Sequence, residues 1–276
     1  MPQPPPLVNG ISNGEPPSSD PELLRRRILA FVDESADMKD EEAIIRATRK
    51  RARQSLAIIG EALQRYRPEE LSLSYNGGKD CLVLLILILA CLPAAAAEPL
   101  QAIYIAPPDP FPEVEDFVTV SAASYNLDLV RYALPMREAL EAYRAHRPLV
   151  KAVFMGTRRT DPHSEFLTPF SPTDGDWPCF MRVNPVLDWD YPEIWTVCFS
   201  RLTTKIREDE QMLTWLQFIR HLDIPFCTLY NRGFTSLGGM GNTRPNPALV
   251  LDSSAKTYRP AYELAHTGEE RLGRDR

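Results

Sequence analysis

No C-x-x-C pair occurs among the five cysteines (Cys81, Cys91, Cys179, Cys198 and Cys227), and their number is odd. That argues against a disulfide scaffold and a structural zinc site, and it fits a reducing, cytoplasmic setting. Basic residues are not in surplus either: 31 Lys and Arg against 37 Asp and Glu leave a net charge of −6. General binding to nucleic acid or to a membrane surface is therefore not expected, and any phosphate site must be local. The one long apolar run, residues 82–97, is broken by Pro93 and headed by Lys79-Asp80. It is short for a bilayer span and reads as a core helix. The G-x-x-x-x-G-K-[ST] phosphate loop is absent as well.

Against these absences one stretch stands out. Leu71, Leu73 and Tyr75 alternate as in a short buried strand; Asn76-Gly77-Gly78 makes a turn; Lys79-Asp80 opens the apolar helix. Paired glycines give access to positive φ. A strand, a glycine turn and a helix N-terminus form an anion site, since bare N–H groups and the helix dipole face the ligand. The bland alternative is a tight turn carrying a surface lysine.

The 276-residue chain is long enough for one large core or two small ones. Residues 1–20 carry six prolines and read as a disordered tail. Residues 21–276 read as one domain with three parts. Residues 21–68 form amphipathic helices from Asp20-Pro21 and from Asp40 to Tyr66, with Arg46 to Arg53 on a solvated face. Residues 70–160 alternate strand and helix: strands at 71–75, 100–106, 127–133 and 150–155, helices at 113–125 and 135–146. That is the pattern of an α/β, doubly wound, mostly parallel sheet with helices on both faces. Ligands then bind beyond the carboxyl ends of the strands, at residues 75–78, 106–109 and Gly156-Thr157-Arg158-Arg159-Thr160-Asp161. Residues 161–276 begin with a proline-punctuated loop to 187 carrying Asp174, Trp177 and Arg182. A structureless loop of that length is usually functional. A helix over 188–222 and a glycine-rich, then polar, ending follow.

The turn resembles the PP-loop, S-x-G-G-K-D, of the adenine-nucleotide α-hydrolase superfamily, with Asn76 where many members carry Ser. Four segments resemble the eukaryotic, fungal-type FAD synthases, relatives of the phosphoadenylylsulfate reductases. They are Asn76 to Asp80, Gly156 to Pro162, Trp177-Pro178 through Asp188-Trp189, and Arg232 to Gly238. Arg271-Leu272-Gly273-Arg274 is similar to that family's R-A-G-R tail. Residues 200–212 look like an insertion.

The resemblance implies Mg²⁺-dependent transfer of the adenylyl group of ATP to FMN, giving FAD and pyrophosphate. It places Tyr75, Asn76, Gly77, Gly78, Lys79, Asp80, Ile105, Gly156, Arg158 and Arg159 against ATP. It places Asp174, Trp177 and Arg182 against the flavin, and Asp80 and Asp161 near the metal. Asn76, Asp161, Arg271 and Arg274 are implied at the reacting phosphates, where guanidinium groups can clamp bidentately. Trp177 and Trp189 both have core packing as the alternative, and Asp188 reads as a helix cap. His163 is not needed as a base, because a phosphate monoester is already anionic. The rival readings are a phosphoadenylylsulfate-reductase-like enzyme, which would need a cysteine near the C-terminus, a tRNA-thiolating PP-loop enzyme, which would want cysteine pairs and a basic surface, and a non-catalytic flavin- or nucleotide-binding module. Protein partners are not legible.

Overall fold

A computed structural model describes residues 21–33, 43–92, 98–198, 224–252 and 254–275. The expected disordered tail, the insertion at 200–212 and most of the helix expected over 188–222 lie outside these residues.

The centre is a six-stranded sheet of order β3-β2-β1-β4-β6-β5. Its strands are β1 (Leu71–Ser74), β2 (Leu100–Ile105), β3 (Leu127–Tyr132), β4 (Ala152–Phe154), β5 (Phe170–Pro172) and β6 (Met181–Val183). All neighbours pair in parallel except β5 on β6. The four strands expected from alternation are present. The hairpin β5–β6 is not a structureless loop: two strands of three residues are too short to leave a period-2 signal.

The helices are α1 (Pro21–Asp33), α2 (Ala43–Arg65), α3 (Lys79–Cys91), α4 (Pro112–Ser124), α5 (Met136–His146) and α6 (Tyr191–Cys198). One face of the sheet presents Leu71, Leu73, Ala102, Tyr104, Ala152, Phe154 and Val183 to a large core shared with α1, α2, α3, α4 and α6. The other presents Ile103 and Val153 to a smaller core under Tyr143 of α5. The alternation of β1 explains the asymmetry: its leucines face the large core, and Ser72 bonds the Tyr143 hydroxyl at 2.6 Å on the other side.

Helix α3 is the central rod. Residues 82–88 are each no more than 1% exposed, because α1, α2 and α6 cover the faces turned away from the sheet. Each such side chain contributes roughly 1.5–3 kcal/mol of transfer free energy. The arginine stretch on α2 is a solvated face in part: Arg46, Lys50 and Arg53 are exposed, but the stretch also ties the helix to its neighbours. Arg49 is buried over the Phe31 ring, Arg53 donates to the Val32 carbonyl at 2.6 Å, and Arg51 lies 3.6 Å from Glu193. Long arginine stems tie α2 to its neighbours while their heads find acceptors.

Among the described residues no helix is long and apolar enough to cross a membrane.

Candidate active site

The glycine turn leaves β1 at the carboxyl edge of the sheet. Tyr75 turns inward and donates its hydroxyl proton to Ser121 at 2.8 Å, so only its backbone reaches the turn. Gly77 has φ +70, and a Cβ there would lie 2.8 Å from the Val118 side chain, so both the conformation and the space require glycine. The Gly78 N–H donates to Asn76 Oδ1 at 2.9 Å, and the Lys79 N–H donates to the Tyr230 hydroxyl at 2.8 Å. Two N–H groups expected to be bare therefore have internal acceptors. A buried donor takes whatever acceptor the fold brings to it, and here a short Asn side chain and a distant tyrosine supply one each.

Lys79 departs further from expectation. It is 2% exposed, and its ammonium donates to Asp80 Oδ2 at 3.0 Å, to the Thr235 carbonyl at 3.2 Å and to Glu270 Oε1 at 2.6 Å. An ammonium has three protons, so all three are engaged inside the protein. Asp80 is shared with a second cation: its Oδ1 lies 2.7 Å from Arg158 Nε. Arg158, 1% exposed, also donates to both oxygens of Glu270. Two cations and two carboxylates thus form one closed network. Burial alone would raise the Asp80 carboxyl, but Lys79 and Arg158 outweigh it and hold it below the usual range. The same pairing raises Lys79 and Arg158 against the opposing effect of burial.

The segment after β4 runs alongside. A Cβ on Gly156 would meet Cys81 Sγ at 2.7 Å and its backbone nitrogen at 2.9 Å, so glycine lets this loop touch the start of α3. Asp161 Oδ2 accepts from the Arg158 N–H at 2.9 Å, and its Oδ1 lies 3.6 Å from Arg271. Burial raises the Asp161 carboxyl, the Arg158 N–H opposes that, and the charges of Asp80 and Glu270 add to the rise. Arg159 points elsewhere: it pairs with Asp188 at 2.7 Å and donates to the carbonyls of Glu165 and Leu167. Asp188 is therefore the anchor of this loop rather than a helix cap; α6 starts three residues later, where the Asp190 N–H donates to Glu193.

The C-terminal tail is docked. The Arg244 N–H donates to Gly273, the Asp275 N–H to Asn242, and Arg274 Nη1 to the Leu237 carbonyl at 2.6 Å. Arg271 thereby stands beside Asp161 at 3.6 Å, and the Arg274 guanidinium lies against Gly238.

Beside the glycine turn opens a cleft of about 570 Å³ over the carboxyl ends of β1, β2 and β3. Ile105, Ala106, Pro107 and Leu134 make it apolar, and Asn76 and Gly238 close the side next to the glycine turn.

Asp174, Trp177 and Arg182 come together on the β5–β6 hairpin. Arg182 lies 3.6 Å from Asp174 and donates to the Pro172 carbonyl, and the Trp177 N–H donates to Asp174. Trp177 is 41% exposed. The register puts Pro172 opposite Met181, and Met181 beside Ala152. The hairpin turn therefore lies beyond the amino ends of the parallel strands, opposite the glycine turn. Trp189 is core: it is 2% exposed and its indole N–H donates to Ser55.

The phosphoadenosine phosphosulfate reductase domain matches residues 70–151 and 130–203. The chain is 39% identical to a probable FAD synthase of Schizosaccharomyces pombe, over 80% of this chain and 77% of that one. It is 32% identical to the flavin adenine dinucleotide synthase of Saccharomyces cerevisiae, over 86% and 77%. The chain belongs to the FAD synthase family. Solved structures agree with this. Candida glabrata FMN adenylyltransferase in complex with FMN and the ATP analogue AMPCPP aligns with a TM-score of 0.77 at 28% identity, covering 93% of this chain and 96% of that chain. The same enzyme with FAD and inorganic pyrophosphate also gives 0.77, covering 92% and 98%.

Within an FAD synthase fold, Cys227, the last cysteine of the sequence, does not suit the reductase alternative, and neither does Cys81 beside the glycine turn. Cys227 is buried, and burial pushes its thiol up to about 11; Cys81 is likewise held at about 12. Such thiols are poor nucleophiles. Sequence reasoning missed Glu270, Tyr230, Thr235 and Asn246. Their contacts to the network join residues more than ten apart, so nothing local in the sequence ties them to Lys79 or Arg158, and a glutamate in a polar ending reads as solvated.

Proposed function

We propose that this chain is an FMN adenylyltransferase, converting FMN and ATP into FAD and pyrophosphate. The observation that carries the reading is the junction of the apolar cleft with the glycine turn, with Asn76 belonging to both. A purine suits the apolar walls at Ile105 and Leu134, and the attached triphosphate then leads onto the start of α3, where the helix dipole favours anions.

Arg158 Nη1 is buried with no hydrogen-bond acceptor among the described residues. A buried guanidinium N–H left so is costly, and a phosphate oxygen would satisfy it. Arg271 and Arg274 supply further positive charge. Lys79, with every proton engaged, supports the loop from beneath rather than reaching the phosphates.

The donors present fit Mg²⁺ in a restricted way. Among the described residues no three His, Cys, Asp or Glu side chains are grouped to hold a metal. Mg²⁺ suits one or two carboxylates plus phosphate oxygens and water. Asp161 is the better donor: among the described residues its ion-pair partner is Arg271 at 3.6 Å, and the nearby carboxylates Asp80 and Glu270 make a cation welcome. Asp80 has both oxygens against cations. When bound, the ion would neutralise phosphate charge and favour the departure of pyrophosphate.

For FMN, Trp177 offers a ring face, and Asp174 and Arg182 offer an acceptor and a donor. The flavin would lie along the β6–β5 edge, which spans about 10 Å over three residues, with its phosphate directed toward Asp161. The chain's work is to hold two anions in line and offset their charge. The FMN phosphate is a nucleophile without a base, and exposed His163 has no part in the step. ATP and FMN are the partners, not nucleic acid or membrane, and unpaired cysteines at 81, 91, 179 and 227 suit the cytoplasm.

Incubation with FMN, ATP and Mg²⁺ tests this. Equal amounts of FAD and pyrophosphate should form, with none of either when FMN is omitted. Pyrophosphate released without FMN, or no FAD, would contradict it.

A further inference from the structure

We infer that Glu270 is a positioning residue: it seats the C-terminal tail on the ATP loop and so places Arg271 for adenylyl transfer. This rests on the adenylyltransferase reading above.

Glu270 reaches across 191 residues to Lys79 and 112 to Arg158, at 2.6 Å in each case. Its own carbonyl accepts from Thr235 Oγ1 at 2.6 Å and from Asn246 Nδ2 at 3.5 Å. Asn246, fully buried, also donates to the Glu269 carbonyl and to Thr235 Oγ1. The Thr235 carbonyl in turn accepts from Lys79. The side chain of Glu270 is therefore fixed to Lys79, the first residue of α3, and to Arg158, while its main chain is fixed to Thr235 and Asn246, and the Thr235 carbonyl holds the same lysine. The next residue is Arg271, which starts a turn closed by Leu272 N–H on Glu269 and Arg274 N–H on Arg271, and whose guanidinium faces Asp161. Beyond it the tail is joined to the body by backbone bonds to Arg244 and Asn242 and by Arg274 on Leu237. Glu270 is the tail's one buried ionic anchor among the described residues.

Charge sets the consequence. Lys79 and Arg158 face Asp80 and Glu270, two against two. With Gln at 270, Asp80 alone opposes two buried cations. An uncompensated buried charge is relieved by admitting water, and the route open here is for the tail to lift. Arg271 then no longer reaches the reacting phosphates. A group acting mainly in the transition state lowers kcat and leaves KM nearly unchanged.

Glu270→Gln is tested in the full-length chain, alone and combined with Arg271→Ala. Alone it should lower kcat by about thirtyfold or more, with KM for ATP and FMN within about threefold. Added to Arg271→Ala, it should lower kcat by less than about threefold, because its effect is already absent. Trypsin should cut after Arg271 at least about tenfold faster than in the parent, with the rest of the chain equally resistant. Glu270→Asp, which keeps the charge, should restore protection and most of the turnover; if the Gln variant does not fold, Thr235→Val, which removes the bond to the Glu270 carbonyl and leaves the charges intact, goes through the same cycle with the same expected direction. Full multiplication of the two losses, or a tail as protected as the parent's, would overturn the proposal. A parent chain that makes no FAD would refute the adenylyltransferase reading instead, while the trypsin comparison would still decide whether Glu270 seats the tail.

Discussion

Lys79→Met separates a lysine that binds phosphate from one that holds the loop together. The ammonium is 2% exposed and serves Asp80, Thr235 and Glu270. Removing it leaves two buried carboxylates against Arg158 alone. Breaking one side of a buried ionic group costs about 3–5 kcal/mol, and methionine fills the space well enough to put the loss near the lower end. With a urea m-value of about 2–3 kcal/mol/M, the midpoint should fall by at least about 1 M at unchanged m. Out of a typical stability of about 5–15 kcal/mol, that leaves a folded protein whose chemistry can still be assayed. Urea unfolding followed by circular dichroism gives the midpoint, and steady-state kinetics at low temperature gives KM for ATP. A midpoint shift under about 0.3 M together with a large rise in KM for ATP would refute the internal role and restore the direct one.

Three further outcomes are expected. Trp177→Ala should weaken FMN binding by about 1–3 kcal/mol and ATP binding much less; equal losses by calorimetry would make the tryptophan structural. Asp80→Asn should change stability with pH: the native carboxyl lies below its ordinary value, so its contribution is present above roughly pH 4 and fades as pH falls through the lowered value. Urea titrations from pH 6 to pH 2.5 should show parent and variant converging, and a constant difference would contradict the pairing. Arg271→Ala with Arg274→Ala should lower kcat at least about a hundredfold, about 2.7 kcal/mol of barrier, with FMN affinity changed far less; turnover within about threefold of the parent would make the docked tail a passive one.

The legible parts of the molecule were those written in periodicity and local turn chemistry. Strands β1 to β4 and helices α4 and α5 follow from alternation, from helical spacing and from the glycines at 77 and 78. The direction of individual side chains was not legible. Lys79 follows a glycine turn, as a phosphate-binding lysine would, yet Glu270 captures it from 191 residues away. Arg159 stands beside Arg158 in one motif, but one points into the ionic network and the other out to Asp188. Hairpin β5–β6 was hidden by strands of three residues. Its register, which puts Trp177 at the far end of the sheet from the glycine turn, is a property of pairing that no local pattern contains.

The central claim is that FMN phosphate displaces pyrophosphate from the α-phosphorus of ATP in one direct step. A single diastereomer of adenosine 5′-(1-thiotriphosphate) makes that phosphorus chiral. Its configuration can be read in the sulfur-substituted FAD that forms. One in-line displacement predicts inversion. Retention, which requires an intermediate in which the protein itself carries the adenylyl group, would contradict it.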